Sequence, residues 1–189
     1  MYLQFNKVIE NVNVIISSYE KSPEETVAEG GCLDDNMGAL QIDPTKGNCA
    51  FGSGLHGWAF TLTKFARIYS DKFKIDLNKM MEKLWGDNYY DGAASKWKKS
   101  NIADDGKPMD RCFVKFVMDP IVKITTAIMN NNKERTFKLC ASLGIELKEA
   151  DKKDLEGKAL MKKIFQIWIN AAEALLELIV LRLPSPKVA

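Results

Sequence analysis

Apolar side chains at Phe5, Val8, Ile9, Val12, Ile15, Ile16 and Tyr19 recur at steps of three and four, the spacing of one helix face. No capping residue precedes them, so the chain reads as opening inside a helix, as a piece of a longer protein would. Residues 20–38 (EKSPEETVAEGGCLDDNMG) are polar, acidic and glycine-bearing, and read as a loop. Short apolar runs at 39–42 and 48–52 flank DPTKG, in which Pro44 and Gly47 suit a turn. This spacing predicts a β-hairpin whose second strand leads into SGLHG.

Helical periods dominate from there on. Leu62, Phe65, Ala66, Tyr69 and Phe73 predict a helix with Thr61 as its N-cap. A second starts at Asp76, turns Leu77, Met80, Met81, Leu84 and Trp85 inward, and stops at Gly86. NYYDGAASKWKK at 88–99, with Asp91-Gly92, suggests another hairpin. From 112 to 129 the apolar positions keep helical period straight through Pro120, which predicts a kink or a restart capped by Asp119. Further helices are expected over 133–143, ending at Gly144, over 155–167, and over 171–183, stopped by Pro184 and Pro186. The expected class is α/β and helix-rich, with two small β elements.

Composition narrows what such a chain can do. Hydrophobic residues make up 46% of 189, enough for a packed core, so wholesale disorder is not expected. Basic and acidic side chains number 27 and 25, a net charge of +2, which gives no electrostatic ground for nucleic acid as the main partner. No secretory leader pattern is present. The apolar run at 178–181, closed by Glu177 and Arg182, falls far short of the roughly 20 residues of a membrane helix. Cys32, Cys49, Cys112 and Cys140 are scattered without a C-x-x-C pair, and there is one histidine, so reduced thiols rather than a zinc site are expected. A soluble, cytoplasmic chain is the expectation.

The densest stretch is FGSGLHGWAFT at 51–61, with three glycines, Ser53 and His56. Gly52-Ser53-Gly54 lacks the G-x-S-x-G spacing of a nucleophile elbow, and no partner residue marks His56 as a general base, so His56 reads as a capping or packing residue. In LNKMM (77–81), Met81 stands where a guanine-reading Asn-Lys-x-Asp motif needs its aspartate, and the stretch lies inside a helix pattern. No G-x-x-x-x-G-K-[ST] occurs to cradle phosphates.

VIENVNVIISSY (8–19), GNCAFGSGLHGWAFTLTKFARIYSDKF (47–73), MMEKLWGD (80–87), DPIVKITTAIMN (119–130), DLEGKAL (154–160) and ALLELIVLRLPSP (174–186) together resemble, in order, the eukaryotic translation elongation factor 2 family. A spliceosomal GTPase and a ribosome-maturation GTPase share the plan, and SGLHGWAFT with LWGD favours the elongation factor. The resemblance implies the last strands and helices of a P-loop GTPase-type sheet, at 1–61 and 160–186. It also implies a mainly helical α+β insertion (the G-prime subdomain) at 62–159, and at 187–189 the start of a link to a second domain.

FGSGLHGW then resembles the fifth guanine-nucleotide motif, a loop beyond the carboxyl end of a strand. The resemblance implies that Gly54 lets backbone N–H groups approach the guanine oxygen, that Ser53 bonds a base-reading aspartate, that Leu55 helps pack the loop, and that His56 and Trp58 anchor it to the following helix. It implies GTP or GDP with magnesium in the whole protein but no nucleotide on this chain alone, and as partners the ribosome and its acidic stalk proteins. The alternative is a stand-alone, non-enzymatic module that keeps ribosome or stalk binding and has lost GTP. The chain departs from the family in the long 20–38 loop and in INAAEALLEL (169–178). There Ile169-Asn170 lacks the usual proline, Glu173 replaces an aspartate, and Arg182 stands where histidine is common.

Overall fold

A computed structural model describes residues 1–19, 41–92, 94–103, 106–183, 185 and 187. The loop expected at 20–38 and the prolines at 184 and 186 lie outside the described residues. Two compact units are present, Met1–Asp43 and Pro44–Ala189. In the first, the helix α1 (Tyr2–Tyr19) follows the apolar period. Asn13 clasps the backbone of Ile42: its Nδ2 donates to the Ile42 carbonyl at 2.9 Å and its Oδ1 accepts from the Ile42 N–H at 2.8 Å.

The second unit is helix-rich and carries two separate two-stranded sheets. The first hairpin differs from the expected one. Residues 41–43 form no strand, 39–40 lie outside the described residues, and Pro44–Lys46 is a short 3₁₀ turn ended by Gly47 at φ +68°. Instead β1 (Ala50–Ser53) pairs antiparallel with β2 (Trp58–Thr61), Phe51 opposite Phe60 and Ser53 opposite Trp58. SGLHG is therefore the turn of a hairpin rather than a loop between strand and helix. The WAFT strand escapes a periodicity reading because its four residues also fit the lead-in to a helix.

β2 runs straight into α2 (Leu62–Phe73). Thr61 occupies the N-cap position in extended conformation, but its hydroxyl donates to Glu177 Oε2 at 3.4 Å instead of capping the helix. Asp76 does cap α3 (Leu77–Leu84), its carboxylate accepting from the N–H groups of Asn78 and Lys79. LNKMM lies in this helix. The hairpin expected at Asp91-Gly92 forms as β3 (Tyr89–Asp91) and β4 (Lys96–Lys98), and the Asp91 carboxylate ties the turn together by accepting from the Ala94 N–H and the Lys98 ammonium.

At Pro120 the helix does not restart from an Asp119 cap, since Asp119 is itself the first helical residue and Met118 holds the cap position. A π-helical turn over Phe113–Met118 runs directly into α4 (Asp119–Met129). Proline has no N–H, so the carbonyl four residues back, Phe116, loses its helical donor. The Tyr69 hydroxyl donates to that carbonyl at 3.0 Å. Burial, and then the nearby Asp119 charge, push the Tyr69 phenol up, which keeps it the donor.

Next come α5 (Lys133–Ser142), capped by Asn132 and followed by Gly144 at φ +70°, then α6 (Glu149–Asp154), α7 (Gly157–Trp168) and α8 (Ala171–Arg182). EADKKD has almost nothing apolar to betray α6. At the start of α8, Asn170 Oδ1 accepts from the Ala172 N–H at 2.9 Å, so asparagine serves as cap where the resembled family has proline.

The first hairpin is the hub of the core. Phe51 meets Trp85 and Phe113, each at 5.4 Å between ring centroids, while Trp58 meets Phe165 at 5.7 Å and Phe60 meets Phe65 at 4.9 Å. Of the side chains expected on inward helix faces, Phe65 and Met81 are buried and Tyr69 and Trp85 half-buried, and in the 112–129 run Phe113, Val117 and Ile121 are buried too. Packing runs across the expected boundaries near 61 and 160: Phe51 touches Phe113, and α4 packs on α7.

Candidate functional site

The 53–57 turn stands on this rigid base. The Ser53 carbonyl accepts from the N–H groups of His56 (3.2 Å) and Gly57 (2.9 Å), and Gly57 sits at φ +68°, the left-handed region a glycine enters without strain. The Ser53 hydroxyl lies 3.1 Å from His56 Nδ1. No hydrogen bond among the described residues takes the backbone N–H of Gly54 or Leu55, so both donors are offered outward.

The glycines divide their duties differently from the expectation. A Cβ on Gly54 would meet nothing within 4 Å, so the chain's own packing does not require glycine there. A Cβ on Gly52 would lie 2.6 Å from the Trp58 carbonyl oxygen and 2.7 Å from the Ala59 Cβ. Gly52 is thus the close-approach residue, and what it admits is the opposite strand. Leu55 does not pack the loop; it is 88% exposed, because a tight turn has no interior to put it in. Trp58 anchors the turn to α7 through Phe165 rather than to the following helix, and His56 is bonded within the turn.

Ser53 and His56 do not amount to a hydrolytic centre. A serine nucleophile needs a base that a third group orients. Among the described residues no side chain bonds the far nitrogen, Nε2. Beside the hairpin a groove of about 230 Å³ is lined by Thr61, Lys64, Arg67, Asn170, Glu173 and Glu177. Its charges are partly spent on each other, with Arg67 Nη2 at 2.9 Å from Glu177 Oε1.

The thiols are protected rather than activated. Burial pushes Cys112 up to about 12 and Cys140 up to about 11, although Lys115, Lys83 and Lys99 pull Cys112 back. Their neutral forms are favoured in the folded state. Above the ordinary value of 9.0 the unfolded chain releases these protons and the folded one does not, so stability falls as pH climbs from about 9 toward 12. Each thiol contributes up to about 1.4 kcal/mol per pH unit. Mass-spectrometric mapping after thiol labelling at pH 9.5 is expected to find Cys112 and Cys140 unmodified in folded protein and modified in urea. Labelling of either at native circular dichroism contradicts this.

No protein-family model matches the chain. No helix among the described residues is long and apolar enough to cross a membrane. The turn 53–57 is where the outward-facing donors and the polar side chains predicted from sequence come together. Its donor set fits one polar edge of a ligand. One basic side chain reaches it, Lys162 of α7, whose Cε stands 4.0 Å from where a Cβ on Gly57 would lie.

Proposed function

We propose that the chain is the guanine-side part of a GTPase similar to translation elongation factor 2, acting with the ribosome in the cytoplasm. In this reading it supplies the last strands and helices of a P-loop GTPase-type sheet. It also carries a mainly helical α+β insertion, the G-prime subdomain, facing the acidic stalk proteins. Ser53, Gly54 and Leu55 form the base-side loop. The phosphates and magnesium of GTP or GDP are held by segments outside this sequence, and the whole protein promotes GTP-dependent translocation.

The observation that carries the reading is the outward face of α8. One side of this helix packs on the hairpin through Ala174. The opposite side bears Leu175, Leu176, Ile179 and Val180, with Leu183 just past its end, all 51–75% exposed, with Ala172 among them and no polar residue between. Glu173, Glu177 and Arg182 flank this apolar side, and a contiguous apolar face of this extent marks a surface that another element covers. Covering the exposed halves of five such side chains is worth on the order of 5 kcal/mol. In this reading the cover is the remainder of the GTPase domain, and the order of the quoted motifs supports that family.

Sequencing the coding strand upstream of Met1 tests the proposal. An in-frame G-x-x-x-x-G-K-[ST] followed by Asn-Lys-x-Asp is expected; a frame closed by a stop codon overturns it in favour of a stand-alone module. The chain by itself is expected not to bind a fluorescent GTP analogue at micromolar concentration, with or without magnesium. Two free amides contribute about 1 kcal/mol each, against an association cost of at least ~4 kcal/mol. Saturable micromolar binding, lost on Gly54→Val, shows the turn to be sufficient unaided.

A further inference from the structure

We infer that His56 is a positioning residue that holds the Ser53 hydroxyl proton and so sets what Ser53 can offer a ligand. The hydroxyl has one proton to give and can also accept. The Ser53–His56 contact at 3.1 Å is its one hydrogen bond among the described residues. A neutral imidazole carries its proton on one nitrogen, and the bond made by the other decides which. With the proton on Nε2, that N–H is met by water, and Nδ1 is free to accept from Ser53. With the proton on Nδ1, the imidazole donates to Ser53 and the serine proton is left without an acceptor inside the chain. Either arrangement leaves one proton to water, that of Nε2 in the first and that of the Ser53 hydroxyl in the second, and the first is the tautomer a free histidine side chain favours.

In that arrangement Ser53 shows only lone pairs at the mouth of the turn, beside the outward N–H groups of Gly54 and Leu55. A carboxylate accepts and cannot donate. Resting on the GTPase reading above, a base-reading aspartate therefore engages Ser53 as acceptor only by drawing the hydroxyl proton away from Nδ1. Nδ1 is then left to water, or it donates to Ser53 Oγ once the imidazole proton has moved from Nε2 to Nδ1 through solvent. His56 thus decides, through one proton, whether the loop is ready for the rest of the site.

Long-range proton–nitrogen NMR on the purified chain tests this, and the single histidine makes the signals unambiguous. The expected spectrum has the proton on Nε2 and a hydrogen-bonded acceptor shift at Nδ1. Ser53→Ala is expected to move Nδ1 to the unbonded acceptor position, and Ser53→Thr, which keeps the hydroxyl, to restore it. A proton found on Nδ1 in the unmodified chain, or nitrogen shifts indifferent to Ser53→Ala, overturns the inference. The unmodified spectrum needs no variant to fold. Failure here leaves the GTPase reading standing, since that rests on the upstream coding sequence.

Discussion

Phe113→Ala is expected to lower the unfolding free energy of the Pro44–Ala189 unit by about 3–5 kcal/mol, the usual range for emptying a buried aromatic site. Phe113 is fully buried, faces Trp85 edge-on at 5.0 Å and touches Phe51 at 5.4 Å. Each ring pair adds roughly 0.5–1.5 kcal/mol to the area term. Trp85 is only half-buried, so the site has one wall that can fold inward, which places the loss toward the lower end. Domains of this size retain about 5–15 kcal/mol in all. Urea unfolding should therefore show a large drop in midpoint at unchanged slope. Val122→Ala, on the exposed side of α4, should stay within about 0.5 kcal/mol. Equal losses at the two positions contradict this description of the core.

Gly52→Ala and Gly54→Ala are two residues apart, and their effects should differ widely. The methyl at 52 meets backbone, the Trp58 carbonyl oxygen at 2.6 Å and the Ala59 Cα at 3.1 Å, and neither can rotate away. The strands must separate, which carries Phe51 and Phe60 off their partners. Overpacking of this kind costs about 1–3 kcal/mol. The hairpin amides are expected to exchange faster with solvent as well. The methyl at 54 points into open space and should change stability by less than about 0.5 kcal/mol. A destabilising Gly54→Ala with a silent Gly52→Ala would mean that the hairpin register is wrong.

Much of the helical architecture is legible in the sequence because a helix announces itself locally. Apolar steps of three and four give α2 and α3 their inward faces, and the Asp76 carboxylate supplies the start signal for α3. The second hairpin is legible for the same reason: Asp91 both favours the turn and bonds it. What escapes is decided at a distance. β2 is a strand because Gly52 lets it close on β1 and because Phe60 has Phe65 to meet. α6 is held by charged residues that carry no period. At the candidate site, 53–55 is conspicuous by composition, but the Ser53–His56 bond exists only once the turn closes. Nothing in the letters separates the structural role of Gly52 from the open setting of Gly54.

The hydrogen bond between Tyr69 and the Phe116 carbonyl ties together the evolutionary fates of two distant positions. Pro120 withholds a donor, and the tyrosine hydroxyl fills the vacancy it leaves. A lineage that replaces Pro120 regains a backbone N–H able to claim that carbonyl, and phenylalanine at 69 then becomes nearly harmless. A lineage that loses the hydroxyl first leaves a half-buried carbonyl bare and pays until position 120 changes. The order of substitution matters, so each of the two residues makes the other harder to replace.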